Sequence, residues 1–220
     1  LYYSTTNTNI KVLKMGKKWL DIVYNEKSSI KLKQHYKFWA DDYDRDLVDW
    51  GYAYPSQLKK VMSQDIKVKK DSKILDAGCG TGLVAQVLSD MNFKNIVGLD
   101  YSIDMLKIAK NKKIYKRLIQ ESLNKKTSLR SNQFDIVLCT GVLTSGHVGA
   151  KAINELIRVT KNKGYLILSI AESIFEKLGF KDEIEKNKKQ ISKIKISKPF
   201  IALPNHKSSA TSKMYLFQRI

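Results

Sequence analysis

The chain has 220 residues, 43% of them hydrophobic, which suits one well-buried domain with short appendages and is too short for two large ones. Its longest apolar runs, such as Tyr165 to Ile170, fall far short of the roughly 20 residues a membrane-spanning helix needs, and the polar stretch Ser4 to Asn9 argues against a signal-peptide core. The net charge of +19 divides into +6 over residues 1–70, +7 over 71–170 and +6 over 171–220, and only 5 of the 40 basic residues are arginine, so a solvated lysine surface is favoured over a dedicated nucleic-acid face.

From Ile10 to about Tyr54 the pattern is helical and rich in aromatics, with Trp19, Tyr24, Tyr36, Phe38, Trp39, Tyr43, Trp50, Tyr52 and Tyr54 interleaved with charges. These rings either pack a helical cap or line an acceptor pocket. Pro55 and Ser56 open a helix over Gln57–Met62, because proline favours a first helical turn. Asp65–Ser72 is charged and reads as a loop. The opening residue is Leu1, as expected of a fragment or a trimmed chain.

A strand–helix alternation follows. Lys73–Ala77 is a short apolar strand, Gly78–Gly82 a glycine loop, and Leu83, Val84, Val87, Leu88 and Met91 mark one face of a helix. Asn95–Leu99 is the second strand, ending in Asp100, and Ser102 caps a helix carrying Leu106 and Ala109. A weaker third strand lies at Arg117–Gln120, and Phe134–Cys139 is a fourth. A helix with Ile153, Leu156 and Ile157 follows, and Gly164 turns the chain into a fifth strand, Tyr165–Ile170. Strands alternating with helices of this length predict βαβ units and a doubly wound, mostly parallel sheet. In the tail, Phe175–Gln190 reads as one charged helix. Lys193–Ser197 and Met214–Phe217 are two strands joined through Pro199 and Pro204, an antiparallel hairpin at the sheet edge that brings the total to seven strands.

The two cysteines, Cys79 and Cys139, argue against a disulfide framework and point to a reducing compartment, the cytoplasm. With the scattered His35, His147 and His206 they offer no metal-ligand spacing. His35 and His206 read as surface residues, and Cys139 as core.

The chemical signal is Asp76-Ala-Gly78-Cys-Gly80-Thr-Gly82 between an apolar strand and an amphipathic helix. Alternating glycines let the backbone turn tightly and approach a ligand, and the helix start presents free N–H groups. Asp100, 18 residues after Gly82 at the end of the next strand, is placed to accept both ribose hydroxyls of an adenosine ligand. A dinucleotide fingerprint would require a small residue at position 83, where this chain has Leu83. Asp76 suits a ligand bearing an amino group better than a pyrophosphate. S-adenosylmethionine, with an ammonium and no phosphate, is such a ligand.

These residues, with Gly98-Leu-Asp100-Tyr-Ser102 and Met105-Leu106, resemble the cofactor site of class I S-adenosylmethionine-dependent methyltransferases, whose fold is Rossmann-like. More narrowly, Trp39-Ala-Asp-Asp-Tyr43-Asp44-Arg-Asp46-Leu47 with Gly51-Tyr52 and Pro55, the stretch 80–84, and Gly141-Val-Leu-Thr-Ser-Gly146-His147-Val148 resemble the methyltransferase-like family named after the Williams–Beuren syndrome region. The resemblance runs from about residue 33 to 170. It implies an N-terminal helical cap or lid over residues 1–64 and an S-adenosylmethionine-binding core over 65–220. It implies that Asp76 and Gly78 hold the methionyl part, with Gly80 beneath the cofactor. Asp100 would bind the ribose, Tyr101 and Met105 would wall the adenine, and Tyr36 and Tyr43 would close over the methionyl end. Where the family usually places an aspartate for the adenine amino group, this chain has Ser122. Thr140 ends the fourth strand, at the edge where ligands bind in such sheets. His147 is the candidate proton acceptor for a hydroxyl or amine, or else packs its loop. The acceptor expected is a small molecule. A binding module without turnover and a nucleic-acid methyltransferase using the basic surface are the alternatives; the missing Asn/Asp-Pro-Pro-aromatic tetrapeptide speaks against base amines as the target.

Overall fold

The computed structural model describes residues 22, 29–144 and 148–220. From residue 29 on, the described elements begin with two helices, α1 (Ser29–Asp49) and α2 (Tyr54–Gln64). The alternation follows as β1 (Ile74–Ala77), α3 (Leu83–Asp90), β2 (Ile96–Asp100), α4 (Ile103–Asn111), β3 (Arg117–Gln120), β4 (Phe134–Leu143), α5 (Ala152–Val159) and β5 (Thr160–Ala171). Two short helices, α6 (Glu172–Phe175) and α7 (Phe180–Lys186), and three strands, β6 (Ile191–Ile196), β7 (Phe200–Ile201) and β8 (Thr211–Arg219), close the chain.

The strands form one sheet in the order β3-β2-β1-β4-β5-β8-β6, with β7 paired to β8. The first five run parallel, and β8 enters antiparallel to both β5 and β6. Every residue of β1 and β2 is buried, as strands covered on both faces by helices require. This is the Rossmann-like α/β sheet with a terminal antiparallel pair that the alternation predicted. The sheet has eight strands where seven were expected, because Phe200–Ile201 adds a two-residue segment against the start of β8.

The two faces of the sheet carry separate cores. On one, Leu58, Val61 and Leu88 pack with Ile74, Ile136 and Leu216, and Trp39, Leu47 and Trp50 of the N-terminal region join the same cluster. On the other, Ile153, Leu156 and Phe180 pack with Leu75, Val137 and Leu168. At roughly 2 kcal/mol for a fully buried aliphatic or aromatic side chain, these clusters supply the main favourable term of the fold. Trp39 keeps its indole N–H satisfied while buried, donating to Asp46 Oδ2 at 2.9 Å.

Three local expectations need correction. The tail segment Phe175–Gln190 is not one helix: α6 ends at Phe175, a turn follows, and α7 starts only after Gly179, which adopts φ +74, and ends at Lys186. Gly164 lies inside β5, where the β4–β5 register shifts between Phe134 and Ile136; a Cβ there would stand 2.8 Å from the Lys161 carbonyl oxygen. His206 is buried, its ring 4.6 Å from that of Trp50, with Nδ1 accepting from Ser208 N, and His35 is half-buried. Neither is a simple surface residue. Cys79 and Cys139 are free buried thiols. Among the described residues no helix is long and apolar enough to cross a membrane, and no cluster of three metal-ligating side chains occurs.

Candidate functional site

Parallel strands that end together leave their last residues and following loops around one crevice. β1 delivers Asp76 there and then breaks into the glycine loop. Gly78, Gly80 and Gly82 all take positive φ, at +79, +52 and +91. A Cβ at Gly78 would meet Val142 Cγ2 at 2.4 Å, whereas one at Gly80 would meet nothing within 4 Å. The first glycine makes room for β4, and the second leaves open space above the loop. β2 ends on Asp100, whose Oδ2 accepts from Gly80 N at 2.9 Å and whose Oδ1 accepts from Ser102 N at 2.8 Å. Asp100 thereby ties the glycine loop to the start of α4. Ser102 caps that helix as predicted, accepting from Met105 N at 3.4 Å.

One cavity collects the residues singled out in the sequence. Asp76, Gly78 and Gly80 come from β1 and its loop, and Asp100, Tyr101 and Met105 from β2 and α4. Ser122 comes from the loop just after β3 and Thr140 from β4, and Tyr36 and Tyr43 reach in from α1. Tyr52, Gly141, Val142 and Val148 also line it, and so does Glu121. The N-terminal aromatics therefore divide. Trp39, Trp50 and Tyr54 are buried in the core, while Tyr36, Tyr43 and Tyr52 face the cavity. His147 lies outside the described residues.

No lysine, arginine or histidine lines the cavity among the described residues, although the chain carries 40 basic side chains. Three carboxylates do. Burial pushes the Asp76 carboxyl up to about 6; Asp100 nearby adds to the shift and a hydrogen bond from Tyr115 opposes it. Burial likewise raises Asp100, against the pull of the Ser102 and Gly80 amides. Glu121 is engaged elsewhere, accepting from Ser128 N at 2.8 Å and from the Ser128 hydroxyl. Ser122 Oγ accepts from Asn124 N at 3.2 Å. Thr140 Oγ1 and Tyr101 Oη, both on the cavity wall, are buried with no hydrogen-bond partner among the described residues. Polar atoms left so cost about 1–3 kcal/mol each unless a ligand meets them.

α1 is fixed over the glycine loop by Asp44. Its Oδ1 accepts from Thr81 Oγ1 at 2.5 Å, and its Oδ2 lies 2.5 Å from Lys112 Nζ just past the end of α4. Sequence reasoning passed over this clasp and also passed over Tyr115, whose Oη donates to Asp76 Oδ2 at 2.7 Å.

Residues 75–168 match a family model described as a methyltransferase domain. Methyltransferase-like protein 27 of Homo sapiens is 37% identical over 136 residues, 61% of this chain and 55% of that protein. An uncharacterized protein of Methanocaldococcus jannaschii is 39% identical over 103 residues, 46% of this chain and 42% of its own length. The chain thus spans about half the length of the curated relatives it matches. A solved Thermotoga maritima protein described as a SAM-dependent methyltransferase, possible histamine N-methyltransferase, superposes with a TM-score of 0.58 at 20% identity, covering 84% of this chain and 98% of that one. A Haloferax volcanii complex of the Trm112 methyltransferase activator with a putative methyltransferase gives 0.59 at 12%, covering 83% and 96%. At these identities the two structures speak to fold alone.

Proposed function

We propose that this chain, which carries a class I S-adenosylmethionine-dependent methyltransferase domain, binds S-adenosyl-L-methionine in the cavity above its glycine loop and transfers the methyl group to a small-molecule acceptor. The observation that carries this reading is the charge of the cavity: Asp76 and Asp100 line it and no basic side chain does, among the described residues. A dinucleotide would set two phosphates on that wall. S-adenosylmethionine brings a sulfonium and an ammonium instead.

The residues present fit that group. Asp100, already oriented by Gly80 N and Ser102 N, keeps lone pairs for the two ribose hydroxyls. Tyr101 and Met105 wall the adenine, and Ser122 offers it a neutral contact where relatives of this fold use an acid. Asp76 receives the ammonium, and Gly78 and Gly80 let the backbone lie against the ligand. Thr140 Oγ1, without a partner among the described residues, accepts from the ligand's amino end. Of the N-terminal region, α1 and α2 act as a cap over the core of 65–220, with Tyr36 and Tyr43 of α1 closing the methionyl end.

When bound, the cofactor supplies an electrophilic methyl on a positively charged sulfur. The chain's own work is to orient it, exclude water and hold an acceptor in line, which accounts for much of the rate advantage in such displacements. Tyr52, Val142 and Val148 line the same cavity and offer an acceptor an aromatic and aliphatic wall. That wall favours an uncharged or cationic small molecule over a phosphate backbone, whose binding would need basic side chains.

The test is transfer of labelled methyl from S-adenosylmethionine into fractionated cell extract, by wild type and by Asp100→Ala. Label in the small-molecule fraction that the variant loses is the expected result. Label confined to nucleic acid, or equal label from both proteins, contradicts it.

A further inference from the structure

We propose that Tyr115 is the positioning residue that keeps the Asp76 carboxylate ionised and fixed for the ammonium of the cofactor's amino-acid end, an inference that rests on the function proposed above. Tyr115 belongs to no motif and does not line the cavity; it stands behind it, just before β3. Two glycines make space for its ring. A Cβ at Gly82 would sit 3.1 Å from Tyr115 Cε2, and one at Gly98 would sit 2.9 Å from Cε1. Gly98 has no positive φ; a Cβ there would also stand 2.7 Å from Leu118 Cδ2 and 2.9 Å from Cys79 Sγ, so its bareness serves the packing of these side chains together with Tyr115. The ring fills the room left under the glycine loop and carries its hydroxyl to Asp76 Oδ2 at 2.7 Å.

That bond is the single one the Asp76 carboxylate receives among the described residues, and the residue is 2% exposed. Among the described residues, the groups that face it offer no positive charge. Asp100 stands on β2, Cys79 in the loop and Cys139 on β4, with both thiols raised by burial and by Asp76 itself. Tyr36 and Tyr43 of α1 line the same cavity. Without Tyr115, a carboxylate already raised by burial loses the one contact that favours its charged form. Tyr115 is itself held neutral, its own ionisation pushed up by burial and by Asp76, so it remains a donor throughout the working range.

The consequence is a pH dependence specific to the amino-acid end of the ligand. Affinity for S-adenosylhomocysteine, which keeps the ammonium, should fall as pH drops through about 6, where Asp76 takes a proton. 5′-Methylthioadenosine has the adenosine and no amino-acid end, so Asp76 should not govern its binding. Tyr115→Phe keeps the ring against Gly82 and Gly98 and removes the hydroxyl alone. Losing a hydrogen bond to a charged group is worth about one pH unit in the midpoint, and so a loss approaching tenfold at pH 5.5 that fades above pH 8.

The experiment is titration of wild type, Tyr115→Phe and Asp76→Asn with both ligands between pH 5 and 8.5. The proposal expects the S-adenosylhomocysteine midpoint of Tyr115→Phe to move up by about one unit while 5′-methylthioadenosine changes less than about twofold. It expects Asp76→Asn, which still offers Tyr115 an acceptor, to bind S-adenosylhomocysteine weakly with no break near pH 6. An unchanged midpoint in Tyr115→Phe, an equal loss for both ligands, or a surviving break in Asp76→Asn overturns it while leaving the cofactor assignment intact. Wild type that binds neither ligand at any pH overturns both.

Discussion

Replacing Asp76 with asparagine should stabilise the free protein even as it removes the receiving group for the cofactor's ammonium. The carboxyl is buried, is pushed from its ordinary 3.8 to about 6, and among the described residues has only Tyr115 to offset its desolvation. That displacement corresponds to about 3 kcal/mol of native-state cost once the group is ionised. Asparagine sheds the charge and keeps an oxygen for Tyr115, but its amide N–H groups carry a smaller burial cost of about 1–3 kcal/mol if they find no partner. The net gain expected is up to about 2 kcal/mol, or up to about 8 °C in melting temperature for a domain of this size. The sign with pH follows from the direction of the shift. A raised folded-state pKa means the native protein holds more protons than the unfolded chain between about 3.8 and 6, so wild-type stability declines as pH rises through that window. Calorimetry of both proteins from pH 4 to 8 should show the variant ahead above pH 7 and the gap closing toward pH 4. A variant less stable than wild type at pH 7.5, or a gap that does not change with pH, would refute the reasoning.

Other sites give further expectations. Asp44→Asn weakens the clasp to Thr81 and Lys112 that holds α1 over the glycine loop, so stopped-flow displacement should show S-adenosylhomocysteine leaving several-fold faster with its on-rate little changed; an unchanged off-rate counts against a capping role for α1. Gly78→Ala puts a Cβ 2.4 Å from Val142 Cγ2 at φ +79, and should lower the melting temperature and cofactor affinity together. Gly80→Ala, at φ +52 with open space before it, should cost less stability than Gly78→Ala and still reduce affinity, which thermal melts and titration compare directly. Thr140→Val removes a buried hydroxyl with no partner among the described residues, so the free protein should gain up to about 1 kcal/mol while S-adenosylhomocysteine binds a few-fold more weakly. Unaltered affinity in that variant would remove Thr140 from the site.

Much of the sheet and the glycine-loop cavity is legible in the sequence because each rests on a local pattern. β1, β2 and β4 are apolar runs between turn residues, and the loop with Asp100 depends on spacing that the backbone cannot satisfy otherwise. What escaped depends on long-range contact. Tyr115 has no periodic neighbour to betray it; the glycine at 82 that makes room for its ring, and the one at 98 that it shares with Leu118 and Cys79, are visible as a cradle only when those side chains are in place. Asp44 lies within a helix of many charges, and nothing local marks it as the one that meets Thr81 and Lys112. The two-residue β7 is too short for a pattern, and His206 is buried by a loop that folds back on Trp50. Gly179, by contrast, was a readable break in the tail helix, since a glycine amid charged helix formers is where a left-handed residue ends a turn.

The most direct test of the account is calorimetric titration of the purified protein at pH 7.5 with S-adenosylhomocysteine and, in parallel, with NAD, each repeated on Asp100→Ala. Micromolar binding of S-adenosylhomocysteine that the substitution abolishes, with no heat from NAD, is the predicted result. Binding of NAD, or the same S-adenosylhomocysteine affinity in both proteins, would contradict the assignment of the cavity.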